Sequence, residues 1–127
     1  MSVGILLITH NNIGTDILST ARDIFGGLPA KAKTVAIKPS SDYEEKLALT
    51  ESYIVQLDSG DGVLILTDIF GATPCNIALK AASRANAKVV SGVNLPMLVR
   101  VLNYADLPLK KISAKAISAG HDSIFES

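Results

Sequence analysis

Alternating apolar and amphipathic segments predict an α/β protein built on an open, mainly parallel sheet with helices on both faces. Three observations carry this expectation. Strand-length apolar runs take turns with helical periodicities along the chain. The first run, Val3 to Ile8, is continuously apolar rather than alternating, the pattern of a strand buried on both sides. The breaks fall at turn-forming stretches such as Gly26-Gly27 and "DSGDG" at 58–62. With 127 residues and 48% hydrophobic content, one domain over 1–127 is expected, with enough apolar material for a sizeable core.

Each element has its own signal. After the first strand, Ile13, Ile17, Ala21, Ile24 and Phe25 recur at helical spacing until Gly26-Gly27 stops them. Thr34 to Ile37 makes a short second strand. Ser41 and Glu44 then read as a capping box opening a helix whose stripe is Tyr43, Leu47, Thr50, Ile54 and Leu57. Val63 to Leu66 is the third strand, closed by Thr67-Asp68. Thr73-Pro74 reads as an N-cap followed by proline at the first helical position, with the helix running to about Ala85. Lys88 to Ser91 is the fourth strand, Asn94 to Pro96 begins a short helix, and Leu109 to Ala119 forms the last one before Gly120. Right-handed crossovers favour a flavodoxin-like strand order, 2-1-3-4. That order sets strands 1 and 3 side by side and opens a crevice at their carboxyl ends.

The crevice gives meaning to the histidine that ends "GILLITH". His10 follows strand 1 and Asp68 follows strand 3, so residues far apart in sequence are expected to face each other. An aspartate that accepts the proton of one ring nitrogen fixes the tautomer and leaves the other nitrogen as a lone-pair nucleophile. Such a ring can take a phosphoryl group, with helix N-termini offering N–H groups to the phosphate oxygens. This chemistry needs no metal and no cofactor.

Plainer roles exist for every residue singled out. A loop histidine is commonly a solvated surface residue, and Asp68 alone is an ordinary turn former. Thr73 is first a helix cap, with phosphate contact an added duty. Cys75 reads as a small core residue, being a lone cysteine with no histidine beside it. His121 reads as solvated or as a terminal contact, and Met97 and Leu98 as packing residues.

Composition removes several function classes. Twelve basic and twelve acidic side chains give a formal net charge of zero, with no basic cluster of the kind that marks a nucleic-acid binder. No apolar stretch approaches the roughly 20 residues of a membrane span, so no direct membrane insertion is expected. The lone cysteine and the lack of a signal-type N-terminus suggest a cytoplasmic protein.

Three separated motifs, "ITH" at 8–10, "GVLILTDIFGATPCNIA" at 62–78 and "VVSGVNLPMLVRVL" at 89–102, resemble the mannose-type enzyme IIA domains of the bacterial sugar phosphotransferase system. The resemblance covers most of the chain in order. It implies a phosphotransferase component with a phosphohistidine at His10, its ring hydrogen-bonded by Asp68. It also implies a phosphoryl-binding loop at Phe70, Gly71, Ala72 and Thr73. The implied partners are HPr as phosphoryl donor and a IIB component as acceptor, or else a regulatory use of the phosphorylated state; with the sequence ending at Ser127, the IIB acceptor is expected on a separate polypeptide. Some relatives carry a tryptophan and paired glycines where this chain has Ile69-Phe70-Gly71-Ala72, so the shape of the loop is expected to differ.

Other readings are distinguishable. The phosphotransfer subunit of a dihydroxyacetone kinase shares the fold and the early histidine but has a different segment in place of "DIFGATPCN". A flavodoxin-type electron carrier needs a hydroxyl-rich first loop and aromatic residues, against "THNNIG" and 5% aromatic content here. A receiver domain needs an acidic cluster where His10 stands, although Asp68 fits its phosphate-accepting position, and a non-catalytic regulatory binding module of the same fold is distinguished by whether His10 takes phosphate. A homodimer is expected, because "VNLPMLVRVL" and "SIFES" supply apolar surface near the edge strand, and the resemblance implies one as well.

Overall fold

The computed structural model describes residues 2–127. Its elements in order are β1 (Gly4–His10), α1 (Ile13–Phe25), β2 (Ala32–Ile37), α2 (Tyr43–Leu57) and β3 (Val63–Thr67), then α3 (Thr73–Ala82), β4 (Ala87–Ser91), α4 (Leu95–Asn103) and α5 (Leu109–Asp122). The sheet has four strands in the order β2-β1-β3-β4, as expected, and every neighbouring pair is parallel.

The continuous apolarity of the first strand is explained by two cores, one on each face of the sheet. Ile5 and Leu7 point to the face covered by α1, α4 and α5, where they meet Leu18, Leu98, Val101, Leu102 and Ile112. Leu6 and Ile8 point to the face covered by α2 and α3, against Leu47, Ile54 and Ile77. Successive side chains of a strand alternate faces, so a central strand sandwiched between helix layers has no polar side to offer. Each fully buried aliphatic side chain contributes about 1.5 to 3 kcal/mol of transfer free energy.

Chain direction places the crevice. The α1 helix leaves β1 toward one face, and α3 leaves β3 toward the other. Because β1 and β3 are adjacent, the loops after them diverge at their carboxyl ends and leave a gap there. Register brings the neighbouring strand level as well, pairing His10 with Ile37 of β2 and Ile8 with Thr67 of β3.

Several local expectations are corrected. β2 begins at Ala32, earlier than the expected Thr34, and α3 stops at Ala82, short of Ala85. Asp42, not Ser41, caps α2: its Oδ1 accepts from the Glu44 N–H at 3.1 Å. Ser41 instead closes the turn before the helix, its Oγ accepting from the Lys38 N–H at 2.9 Å. Thr73 is the first residue of α3; Ala72 holds the cap position and supplies no side-chain bond. The last helix runs through Gly120 to Asp122. Gly120 marks a close approach rather than an end, since a Cβ there would lie 2.9 Å from Met97 Cε on α4.

The segment "VNLPMLVRVL" is also used differently. Met97, Leu98, Val101 and Leu102 are buried within the chain's own core. Exposed apolar residues near β4 are Ile117 of α5 and Ile124 beyond it, and Phe125 follows at 79% exposed.

Candidate functional site

His10 is the last residue of β1, and Asp68 is the first residue beyond β3. The Nδ1 of His10 lies 2.8 Å from Asp68 Oδ2, and the same oxygen accepts from the His10 backbone N–H at 3.0 Å. The other carboxylate oxygen accepts from the Ile69 N–H at 3.0 Å. Asp68 is therefore held on both oxygens before it holds anything. Its side chain is 13% exposed, whereas that of His10 is 43% exposed.

Electrostatics follow from this geometry. Burial opposes ionisation of the Asp68 carboxyl, but hydrogen bonds from the His10 backbone and ring outweigh it and hold the group below its ordinary value. An ionised carboxylate can only accept, so the proton of the short contact sits on Nδ1 of His10. The Nε2 lone pair is left on the other edge of the ring. Upstream, Thr9 steadies the chain where it turns into α1: its buried Oγ1 accepts from the Gly14 N–H at 2.8 Å. Between strand and helix, Asn11 takes a left-handed φ of 46°.

Of the expected phosphoryl-loop residues, Phe70, Gly71 and Ala72 lie between β3 and α3, and Thr73 opens α3. Phe70 is 78% exposed, Gly71 has a φ of 85°, and Ala72 and Thr73 lead into α3. No side-chain bond caps α3, whereas in the first turn of α1 the Gly14 N–H is already taken by Thr9 Oγ1. The first N–H groups of an uncapped helix have no intrahelical acceptor and carry its positive dipole end. His10 and Thr73 both line one pocket of about 300 Å³. The structure does not bring the other singled-out residues to this pocket. Cys75 is buried with Sγ 3.6 Å from Ser91 Oγ, and His121 is exposed in the last turn of α5.

The far wall of the pocket was missed by sequence reasoning. It consists of Asn11 together with Ile37, Lys38, Pro39, Ser41, Tyr43 and Lys46, mostly from the connection after β2. A signal for it existed. In the order 2-1-3-4, the loop after strand 2 borders His10 as closely as the loop after strand 3 does.

Residues 4–117 match the EIIA-man family model, described as the PTS system fructose IIA component. The chain belongs to this IIA family. Among relatives, this IIA chain is similar to the PTS system mannose-specific EIIAB component of Escherichia coli (strain K12), 27% identical over 98% of this chain. The chain spans 39% of that relative's length. The Transcriptional regulatory protein LevR of Bacillus subtilis is 30% identical over 87% of this chain, a match covering 12% of LevR. Among solved structures, the mannose/sorbose specific IIA subunit from Enterococcus faecalis shares the fold, with a TM-score of 0.89 at 22% identity over 100% of this chain and 96% of that one. The PTS IIA protein associated with the fucose utilization operon from Streptococcus pneumoniae gives a TM-score of 0.82 at 27% identity, covering 99% of this chain and 96% of that one. This IIA chain is thus a phosphotransferase-system component of the mannose type, and no helix among its described residues is long and apolar enough to cross a membrane.

Proposed function

We propose that the chain is a single IIA domain that carries a phosphoryl group on His10, taking it from phosphorylated HPr and passing it to a IIB component. The observation that carries this reading is the 2.8 Å contact between His10 Nδ1 and Asp68 Oδ2, which engages one ring nitrogen and leaves Nε2 on a half-exposed ring. In the transfer step the Nε2 lone pair attacks the donor's phosphorus, a P–N bond forms, and the donor's own P–N bond breaks. The Nδ1 proton stays between ring and carboxylate, and Asp68 stabilises the positive charge that builds on the imidazole. Uncapped amides at the start of α3, with Phe70, Gly71, Ala72 and Thr73, supply donors and walls for the phosphoryl oxygens. Neither metal nor organic cofactor enters this step.

A regulatory use of the phosphorylated state is the second reading. It is favoured by the similarity to LevR, which is named as a transcriptional regulator. Both readings share the chemistry at His10 and differ in what consumes the phosphate. The deciding experiment incubates the protein with purified enzyme I, HPr and phosphoenolpyruvate. Base-stable, acid-labile label on the wild type and none on His10→Ala is the expected result; label retained by His10→Ala overturns the assignment.

A further inference from the structure

The wall of the pocket formed by the β2–α2 connection carries charge that the proposed transfer step does not use. Lys38 directly follows Ile37, the strand partner of His10, and the Asn11 N–H donates to the Ile37 carbonyl at 2.9 Å. A reciprocal pair fixes the Lys38 backbone: its N–H donates to Ser41 Oγ and its carbonyl accepts from the Ser41 N–H, both at 2.9 Å. Lys46 reaches the same pocket from the first turns of α2. Its position is set by its own N–H, which donates to the Asp42 carbonyl at 3.0 Å.

No carboxylate lines the pocket. Among the described residues neither ammonium group forms an ion pair. The nearest acidic residues in sequence have other positions: Asp42 Oδ1 accepts from the Glu44 N–H, and Asp42, Glu44 and Glu45 are exposed outside the lining. Asp68 lies on the other side of the imidazole, on Nδ1. Lys38 is exposed and Lys46 half-buried, so the pocket is bordered by two cationic side chains, and an anion held there would be attracted by both. Ser41, Tyr43 and Thr73, all hydroxyl-bearing, line the same pocket.

We propose that Lys38 and Lys46 make this pocket a phosphoryl-anion subsite, its cations facing the Nε2 edge of His10. The anion has two possible sources: the phosphoryl group on His10, where the proposal rests on the phosphocarrier reading, or a free phosphate, where it does not. A dianionic phosphoryl group bonded to Nε2 projects away from Asp68, and the lysine pair offsets its charge. At about 300 Å³ the pocket is larger than a phosphoryl group requires, so either source fits sterically.

The test compares the wild type with Lys38→Met/Lys46→Met and with Lys38→Arg/Lys46→Arg. In one arm the proteins are phosphorylated by enzyme I, HPr and phosphoenolpyruvate, and phosphorus NMR follows the phosphohistidine resonance with pH. Removing both cations is expected to raise the pKa of the phosphoryl group's second ionisation and to slow acceptance at least tenfold, with the arginine pair restoring both. In the other arm inorganic phosphate is titrated into the unphosphorylated proteins while the ring nitrogens of His10 are followed. A saturable shift in the wild type that is lost in the methionine pair identifies a free-phosphate site. A change in the first arm alone identifies the covalent phosphoryl group as the occupant. Absence of label on the wild type overturns the phosphocarrier reading and leaves the second arm to decide the subsite. Normal labelling, an unchanged phosphoryl titration in the methionine pair and no phosphate response overturn the subsite alone.

Discussion

Asp68 Oδ2 accepts two hydrogen bonds from a single residue, the backbone N–H and the ring Nδ1 of His10. The first bond ties the end of β1 to the start of the β3–α3 loop, and the second fixes the ring on that tie. Orientation of the histidine is thereby built into the pairing of two parallel strands.

The charge of Asp68 is expected to matter more for transfer than for folding. Asp68→Asn keeps the shape but lets an amide N–H face Nδ1, which favours the wrong tautomer. Acceptance of phosphate from phospho-HPr should fall roughly ten- to a thousandfold, about 1.4 to 4 kcal/mol of barrier, while the circular dichroism spectrum is kept. Rapid-quench kinetics measure the loss, and undiminished transfer in a folded variant refutes the coupling.

Phosphate should appear on Nε2 of His10. With Nδ1 held at 2.8 Å from the carboxylate, attack through that nitrogen would require breaking the contact first. Nitrogen-resolved NMR of the phosphorylated protein distinguishes the two isomers directly.

Stability should depend on pH through Asp68. Its carboxyl is held below its ordinary value in the folded state, so the unfolded chain binds the proton more readily. The contribution is fully present above the unfolded value, near pH 4, and is lost as pH falls through the lower folded value. Urea unfolding of wild type and Asp68→Asn between pH 7 and pH 3 should show a constant gap that narrows at the acid end. A gap that widens on acidification has the wrong sign.

Leu98→Ala should cost about 2 to 5 kcal/mol of folding stability, because Leu98 is fully buried between α4 and the sheet. The exposed pair behaves differently. Ile124→Asp with Phe125→Asp should leave the monomer's stability nearly unchanged and shift the homodimer expected from the sequence toward monomer in sedimentation. Wild-type monomer at micromolar concentration overturns the expected dimer.

The sheet order, its parallel strands and the meeting of His10 with Asp68 were legible in the sequence, since local signals combined with one topological rule dictate them. Continuous apolarity in "VGILLI" requires burial on both faces, and a strand buried that way in an alternating chain sits in the middle of the sheet. Helix ends were less legible. Ser41 and Asp42 are both competent caps, and only the path of the chain out of β2 gave the role to Asp42 and turned Ser41 onto the Lys38 N–H. Gly120 reads locally as a stop, yet the packing of α5 against Met97 made it an interior residue.

What only the tertiary structure decided is the company His10 keeps beyond Asp68. Lys38 and Lys46 look like ordinary solvated charges in sequence, because nothing local says which way a long, flexible side chain leans. They enter the pocket because register sets Ile37 level with His10 and because α2 packs on the face opposite α1. The sequence by itself determined the fold and the pair of residues at its switch point, through short-range periodicity and strand order. The pocket, its cationic wall and the division of apolar surface between core and exposed tail depend on side chains that meet across elements, and packing alone sets those distances.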